Sequence, residues 1–302
     1  MLLPDSGDER FPTMHIRLGY EIAIDCDAPT HVVSMLDVNR DRQADIQRQT
    51  RFMTNPSVPV SCYVDSFGNT CRRFTAPSGG VRILYDAVVE DSGLHDEVNT
   101  LAGETPVEKL PSDALVYLLG SRYCETDHLS QQAWNLFGHL PPGWARVQAI
   151  VDYVHNRLSF SYGYARSTRT AAQAHEEQVG VCRDFAHLAI ALCRCMNIPA
   201  RYVNGFLGDI GVPADPAPMD FSAWTEVYLD GKWYTFDARH NRPRIGRVVI
   251  ARGRDATDVP LLHTFGPHRL TTFKVWTYEQ ESHPVRPPVQ GIDRTMTNRM
   301  IA

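Results

Sequence analysis

Residues 180–207 read GVCRDFAHLAIALCRCMNIPARYVNGFL, and residues 221–241 read FSAWTEVYLDGKWYTFDARHN. Between Phe185 and Cys193 every position is apolar except His187, which is the pattern of a helix buried on nearly all sides. Asn197-Ile198-Pro199 closes it, because proline has no N–H for the helical ladder and steers the residue before it towards extended geometry. Tyr202–Leu207 then reads as a strand. Phe221–Leu229 and Lys232–Asp237 read as two more, joined by Asp230-Gly231, a two-residue signal for a tight antiparallel hairpin. Cys182 stands where a loop ends and the buried helix begins. Free N–H groups and the positive end of the helix dipole favour a thiolate there, so Cys182 is a candidate nucleophile; the alternative is an inert core thiol beside Val181 and Phe185.

Upstream, Trp144, Val147, Ile150, Val151, Val154 and Leu158 recur at three- and four-residue intervals, one buried face of a helix. Pro111-Ser112-Asp113 looks like a helix start, with Ala114, Leu115, Leu118 and Leu119 as a short apolar face, and 163–179 is a polar stretch. The first third differs. Ile16, Leu18, Tyr20, Ile22 and Ile24 alternate with other residues, the period of a strand with one buried face, and Val32–Val38, Val60–Val64, Thr70–Thr75 and Val81–Val89 are further β-rich runs. Downstream, Arg247–Ala251 and Thr271–Tyr278 add strands. The expectation is an α+β chain: an antiparallel β-sandwich-like domain over residues 1–105, a helix-and-sheet core over 106–280 and a polar C-terminal tail over 281–302.

Composition narrows the function classes. With 43% hydrophobic and 22% charged residues the chain is globular, and nowhere does an apolar run reach the roughly 18 residues of a membrane span. A formal charge of −5 argues against a body that grips nucleic acid. The segment MLLPDSGDERFPTM carries acidic residues where a signal peptide has a basic region and an apolar core, so a reducing cytoplasm is expected, with the seven cysteines free. Cys26, Cys62, Cys71, Cys124, Cys193 and Cys195 have structural readings; the Cys193-x-Cys195 spacing fits no common zinc site, and no cofactor is implied.

Together the two quoted stretches resemble the core of the transglutaminase-like superfamily, a group often labelled as candidate cysteine proteases. The resemblance implies a papain/transglutaminase-like core, a helix bundle packed on an antiparallel sheet. In that family the cysteine opening the helix is the nucleophile, a histidine directly before Ala-Trp on the next strand is the base, and an aspartate on the partner strand orients it. Cys182 matches the nucleophile, and Asp237, in Phe236-Asp237, matches the orienting acid. Ala28-Pro29-Thr30, Asp65-Ser66-Phe67-Gly68-Asn69 and Ala76-Pro77-Ser78 resemble the N-terminal region attached to bacterial members, so the resemblance runs from about residue 15 to about residue 278.

The departure is at the base: the residue before Ala223-Trp224 is Ser222. If Asp230-Gly231 is the turn, Leu229 faces Lys232, and counting outward pairs Trp224 with Asp237 and Ser222 with Arg239. Ser222 and Asp237 become diagonal neighbours on one face, a gap of about 7–8 Å that an imidazole bridges and a serine hydroxyl spans only through water. His240 then points to the opposite face from Asp237, unless a turn after Asp237 brings it back. His187 reads as a core histidine, and His263 and His268 as surface residues. Arg239, Arg242, Arg244, Arg247, Arg252 and Arg254 read as the solvated edge of a sheet in preference to an acceptor for a carboxylate or acidic peptide.

Three functions fit. In an enzyme, Cys182 attacks a peptide or amide carbonyl, and water or an amine resolves the thioester, giving hydrolysis or acyl transfer. In a pseudoenzyme the cleft binds a peptide or protein, and Ser222 marks the lost base. In a scaffold the β-rich half mediates assembly. The expected partner is a peptide or protein amide substrate, not a nucleic acid or membrane, and exposed strand edges leave a homo-oligomer open.

Overall fold

In the computed structural model, which describes residues 13–280, the alternating run near the start of the chain forms β1 (Met14–Asp25). Ile16, Leu18, Tyr20, Ile22 and Ile24 are at most 1% exposed, as the period of two requires. The first third continues with β2 (Thr30–Ser34), β3 (Ile46–Gln49), β4 (Met53–Asn55), β5 (Ser61–Val64), β6 (Thr70–Ala76) and β7 (Val81–Asp91). Then come α1 (Thr126–Phe137), α2 (Trp144–Arg157), β8 (Ser159–Phe160), α3 (Ala171–Glu177), β9 (Val179–Gly180) and α4 (Cys182–Cys195). The remaining strands are β10 (Ala200–Phe206), β11 (Ser222–Leu229), β12 (Lys232–Phe236), β13 (Val248–Gly253), β14 (Leu262–Thr264) and β15 (Arg269–Glu279). The class is α+β. The tail expected over 281–302 lies outside the described residues.

Three antiparallel sheets result. The first runs β15-β1-β7-β3, with β4 also on β7; the second runs β14-β2-β6-β5; the third runs β12-β11-β10-β13. β8 and β9 form a short parallel pair. Thr271–Tyr278 and the residues before it therefore return to β1, and β14 pairs with β2, so strands after residue 260 complete sheets begun before residue 90. A period of two reports which face of a strand is buried and is silent on its partner.

α4 is the centre of the core, and each of its residues from Cys182 to Cys195 is buried. It lies on β10 and β11, with α1, α2 and α3 on its other side. α1 and α3 are absent from the sequence reading. α1 buries only Leu129, Ala133 and Phe137, too sparse a stripe to stand out. α3 is announced by Thr170, whose hydroxyl accepts from the Gln173 N–H while the Gln173 side chain accepts from the Thr170 N–H, a reciprocal cap inside the polar stretch. The expected helix after Pro111 is only a 3-10 turn at Leu115–Leu118, because Leu115 and Leu119 face solvent and supply no buried stripe.

The hairpin forms as read. Asp230 and Gly231 take φ of 47° and 79°, and the pairs run from Leu229↔Lys232 to Thr225↔Phe236. On the far side Ser222 pairs with Gly205 of β10. A Cβ at Gly205 would sit 2.3 Å from the Val248 carbonyl oxygen and 2.6 Å from the Trp224 ring, so only glycine lets β13 and Trp224 close over this point. The outer edge of β13 is covered by the first third: the Asn69 side chain exchanges hydrogen bonds with the Arg252 backbone at 2.8 Å each way, and the Asn39 amide donates to the Ile250 carbonyl at 3.2 Å. Gly205→Ala is expected to lower stability by about 1–3 kcal/mol. Gly103→Ala, where a Cβ meets nothing within 4 Å, should stay within about 0.5 kcal/mol of wild type in the same urea titration.

Candidate active site

Gly180, Val181 and Asp184 build the start of α4. The Asp184 carboxylate turns back to accept the Val181 N–H at 2.9 Å and Arg169 at 3.1 Å. A Cβ at Gly180 would stand 2.6 Å from that of Asp184, so the glycine makes room for the cap. Cys182 follows as the first helical residue, 5% exposed, in a small cleft lined also by Arg183, Asn204, Ser222 and Ala223. The helix start was expected to favour the thiolate. Burial instead pushes the Cys182 thiol up to about 11, although Arg239 and a hydrogen bond from the Ala223 backbone pull it down; Asp220 and Asp237 push the same way as burial.

Ser222 opens β11 and is 5% exposed, with an Oγ that meets no partner among the described residues. The antiparallel register holds through Phe236 and then stops: Arg239 does not pair with Ser222, and His240 does not point away from Asp237. The chain leaves the strand in a turn closed by Asn241 N–H on the Asp237 carbonyl at 2.7 Å. Oδ1 of Asp237 accepts the N–H groups of Arg239 and His240 at 3.0 and 3.2 Å. This self-made turn returns the His240 ring, whose Nδ1 lies 2.9 Å from Asp237 Oδ2. Asn241, at φ 48°, is fixed to α2 by Gln148 at 3.0 Å and Asp152 at 2.8 Å.

Oδ2 of Asp237 also accepts from Arg247, at 2.9 Å. Arg247 also bonds Asp96 at 2.8 Å and covers the Trp224 ring at 4.9 Å. It and His240 hold the Asp237 carboxyl well below the usual carboxylate range, against the opposing effect of burial. Reading the six arginines as a solvated edge holds for Arg242, which is exposed, and fails for Arg244 and Arg247. Arg244 and Arg247 are buried, Arg252 pairs with Glu226 and Asp41, and Arg254 pairs with Asp258. No local pattern distinguishes an arginine bound for a distant buried carboxylate from one bound for solvent.

His240 and Ser222 line a second opening, which shares its Phe221–Ser222 wall with the Cys182 cleft. The other histidines stand elsewhere. His187 is fully buried between Tyr123 and Tyr202, accepts the Ala256 N–H at 3.1 Å, and is held neutral by burial. His263 is on β14, and His268 bonds Thr264 at 2.8 Å. Cys62 is exposed while Cys71 is buried, on opposite faces of their hairpin, and both are free, as are Cys193 and Cys195. Among the described residues no cluster of three or more His, Cys, Asp or Glu side chains is placed to hold a metal ion, and no helix is long and apolar enough to cross a membrane.

Residues 134–238 match the family model of the transglutaminase-like superfamily. An uncharacterised protein of Mycobacterium leprae is 24% identical over 229 residues, 69% of this chain and 77% of that one. One from Mycobacterium tuberculosis is 35% identical over 129 residues, 38% of this chain and 41% of the relative, so the match spans less than half of that protein. A crystal structure from Cytophaga hutchinsonii, described as that of a candidate cysteine protease, superposes with a TM-score of 0.77 at 28% identity, covering 91% of this chain and 93% of the other.

Arg247→Met leaves Asp96 and Asp237 facing each other without their cation, and a loss of about 3–5 kcal/mol is expected. The pH dependence carries the same signature. Because the folded pKa of Asp237 is depressed, its contribution is present above the unfolded value of about 3.9 and is lost as pH falls below it. Thermal melts in the acid range should show the variant losing less further stability than wild type as pH drops.

Proposed function

The core of this chain belongs to the transglutaminase-like superfamily, and on that premise we propose that the protein performs thiol acyl chemistry on a peptide or other amide, with Cys182 as nucleophile and the Asp237–His240 pair as acid–base partner. One observation carries this reading: the His240 ring lies 2.9 Å from a carboxylate that Arg247 keeps ionised. An ionised carboxylate only accepts, so Nδ1 carries the hydrogen and Nε2 keeps its lone pair, the tautomer a general base needs. Ser222 Oγ, on the wall common to both openings, offers a relay through itself or a water.

In this reading the Cys182 proton passes to Nε2 of His240 as sulfur bonds to the substrate carbonyl carbon. The N–H groups of Cys182 and Arg183, at the start of α4, hold the oxyanion. The imidazolium then protonates the leaving nitrogen as the C–N bond breaks, giving a thioester and a free amine. Water or a second amine attacks the thioester, its proton goes to His240, and the thiol is restored on release of acid or new amide.

A binding module without catalysis is favoured by a different observation, the thiol held up at about 11 with serine at the base position. Iodoacetamide labelling of Cys182, followed by peptide mass spectrometry across pH, separates the two. With His240 as base, the labelling rate depends on the imidazole, and His240→Gln lowers it. A lone thiol instead reacts about tenfold faster per pH unit up to its own pKa, with His240→Gln changing nothing. Ser222→His puts an imidazole on the wall common to both openings and is expected to raise hydrolysis of a chromogenic peptide anilide by about 10²–10⁴-fold; no gain in a folded variant would count against Cys182 as the nucleophile.

A further inference from the structure

Much of the wall of the Cys182 cleft is apolar and pinned in place. Phe221, Ala223, Ala256 and Val259 are each at most 7% exposed, and Leu261 lines the cleft with them. Phe221 is held by the rings of Tyr20, Phe206 and Phe273, with centroids 6.0, 5.2 and 5.9 Å away, so strands of two sheets fix it. The Ala256 N–H donates to His187 Nε2 at 3.1 Å. The Val259 carbonyl accepts the Asn204 amide at 3.0 Å, and the Leu261 carbonyl accepts the Met35 N–H at 3.1 Å. A segment tied at residues 256, 259 and 261 cannot draw back for a larger group without breaking these bonds.

Among the described residues, the one charged side chain lining this cleft is Arg183, and its charge is already answered. It is 2% exposed, lies 3.5 Å from Asp184, and donates to the Ser167 carbonyl at 3.2 Å and to the Arg166 carbonyl. Arg239 and Asp220 line the second opening. Asn204 Oδ1 and Ser222 Oγ, both without a partner among the described residues, are uncharged. A charged group entering here gives up its water and meets no opposite charge, and a long one meets walls that do not yield. A short apolar group gains from leaving water. We propose that the Cys182 cleft is an acyl pocket for a small, uncharged, apolar acyl group, from acetyl to butyryl in size, and that it refuses longer or charged ones. This pocket rests on the thiol reading, since it holds the acyl side of the amide that Cys182 attacks.

Activated esters test the acyl side alone. Wild-type protein is mixed with the p-nitrophenyl esters of acetate, butyrate, octanoate and succinate, the last matching butyrate in length with a carboxylate at its end. Sulfur bonds to the ester carbonyl carbon, the C–O bond breaks, p-nitrophenolate leaves, and the thiol proton passes to solvent. Acyl mass on the Cys182 peptide gives each rate, which is divided by the rate with glutathione to remove the ester's own reactivity. Acetate and butyrate should exceed octanoate and succinate by at least about tenfold, the discrimination that a fixed apolar pocket provides. Leu261→Ala should raise octanoate relative to acetate, and Ala256→Leu should lower butyrate relative to acetate. Equal normalised rates in wild type, a preference for octanoate or succinate, or a folded pair of variants with the wild-type profile overturns the pocket. The wild-type series decides without either variant. The thiol reading fails separately: no acyl mass on Cys182 from any ester removes the nucleophile, and the pocket with it, whereas acylation without selectivity removes the pocket alone.

Discussion

Arg247 carries a positive charge where water does not reach it, and two carboxylates and an indole face make that tolerable. The cost of desolvating a guanidinium is large unless its partners are placed with good geometry, so the pair with Asp237 constrains everything around it. Asp237 must remain ionised, and an ionised carboxylate can gather the N–H groups of Arg239 and His240 and the His240 ring at once. Asp96 brings the segment that follows the first sheet to the same guanidinium. The end of β12, the orientation of His240 and the seating of residues near 96 on the core thus follow from one buried cation.

At Cys182 two physical effects oppose each other, and their balance is the character of the site. A helix start and a nearby Arg239 favour the thiolate, whereas enclosure by β10, β11 and the loops beside them favours the thiol, and enclosure prevails. An imidazole at position 222 would alter that balance by offering the sulfur a counter-ion. Serine there leaves the sulfur neutral and the wall between the two openings thin.

The parts legible in the sequence are those governed by local periodicity. α4, α2, the hairpin turn at Asp230-Gly231 and the buried face of β1 follow from spacing within a dozen residues. What escaped has long-range or sparse causes. α1 buries three side chains, α3 rests on a cap between Thr170 and Gln173, and β15 finds its partner more than 240 residues away. At the site, position along the chain marks Cys182, Ser222 and Asp237 as candidates, and the turn that returns His240 to Asp237 depends on side-chain contacts beyond the strand period. Arg247 was read as solvent-facing because an arginine carries no local mark of the carboxylate it will meet.

β1 lies between β7 and β15, yet it is translated about 250 residues before β15 exists. Until then one edge of β1, with its unpaired N–H and C=O groups, has no partner from its own chain. Chains generally acquire structure from the N-terminus during synthesis, so a nascent molecule passes through a stage in which α4 and the β11–β12 hairpin can pack while the first sheet is still open. Among the described residues, the last strand in chain order is the one that covers that edge. Protection of β1 therefore waits for the synthesis of β15, and in the interval before it that edge is exposed to pairing with a neighbour.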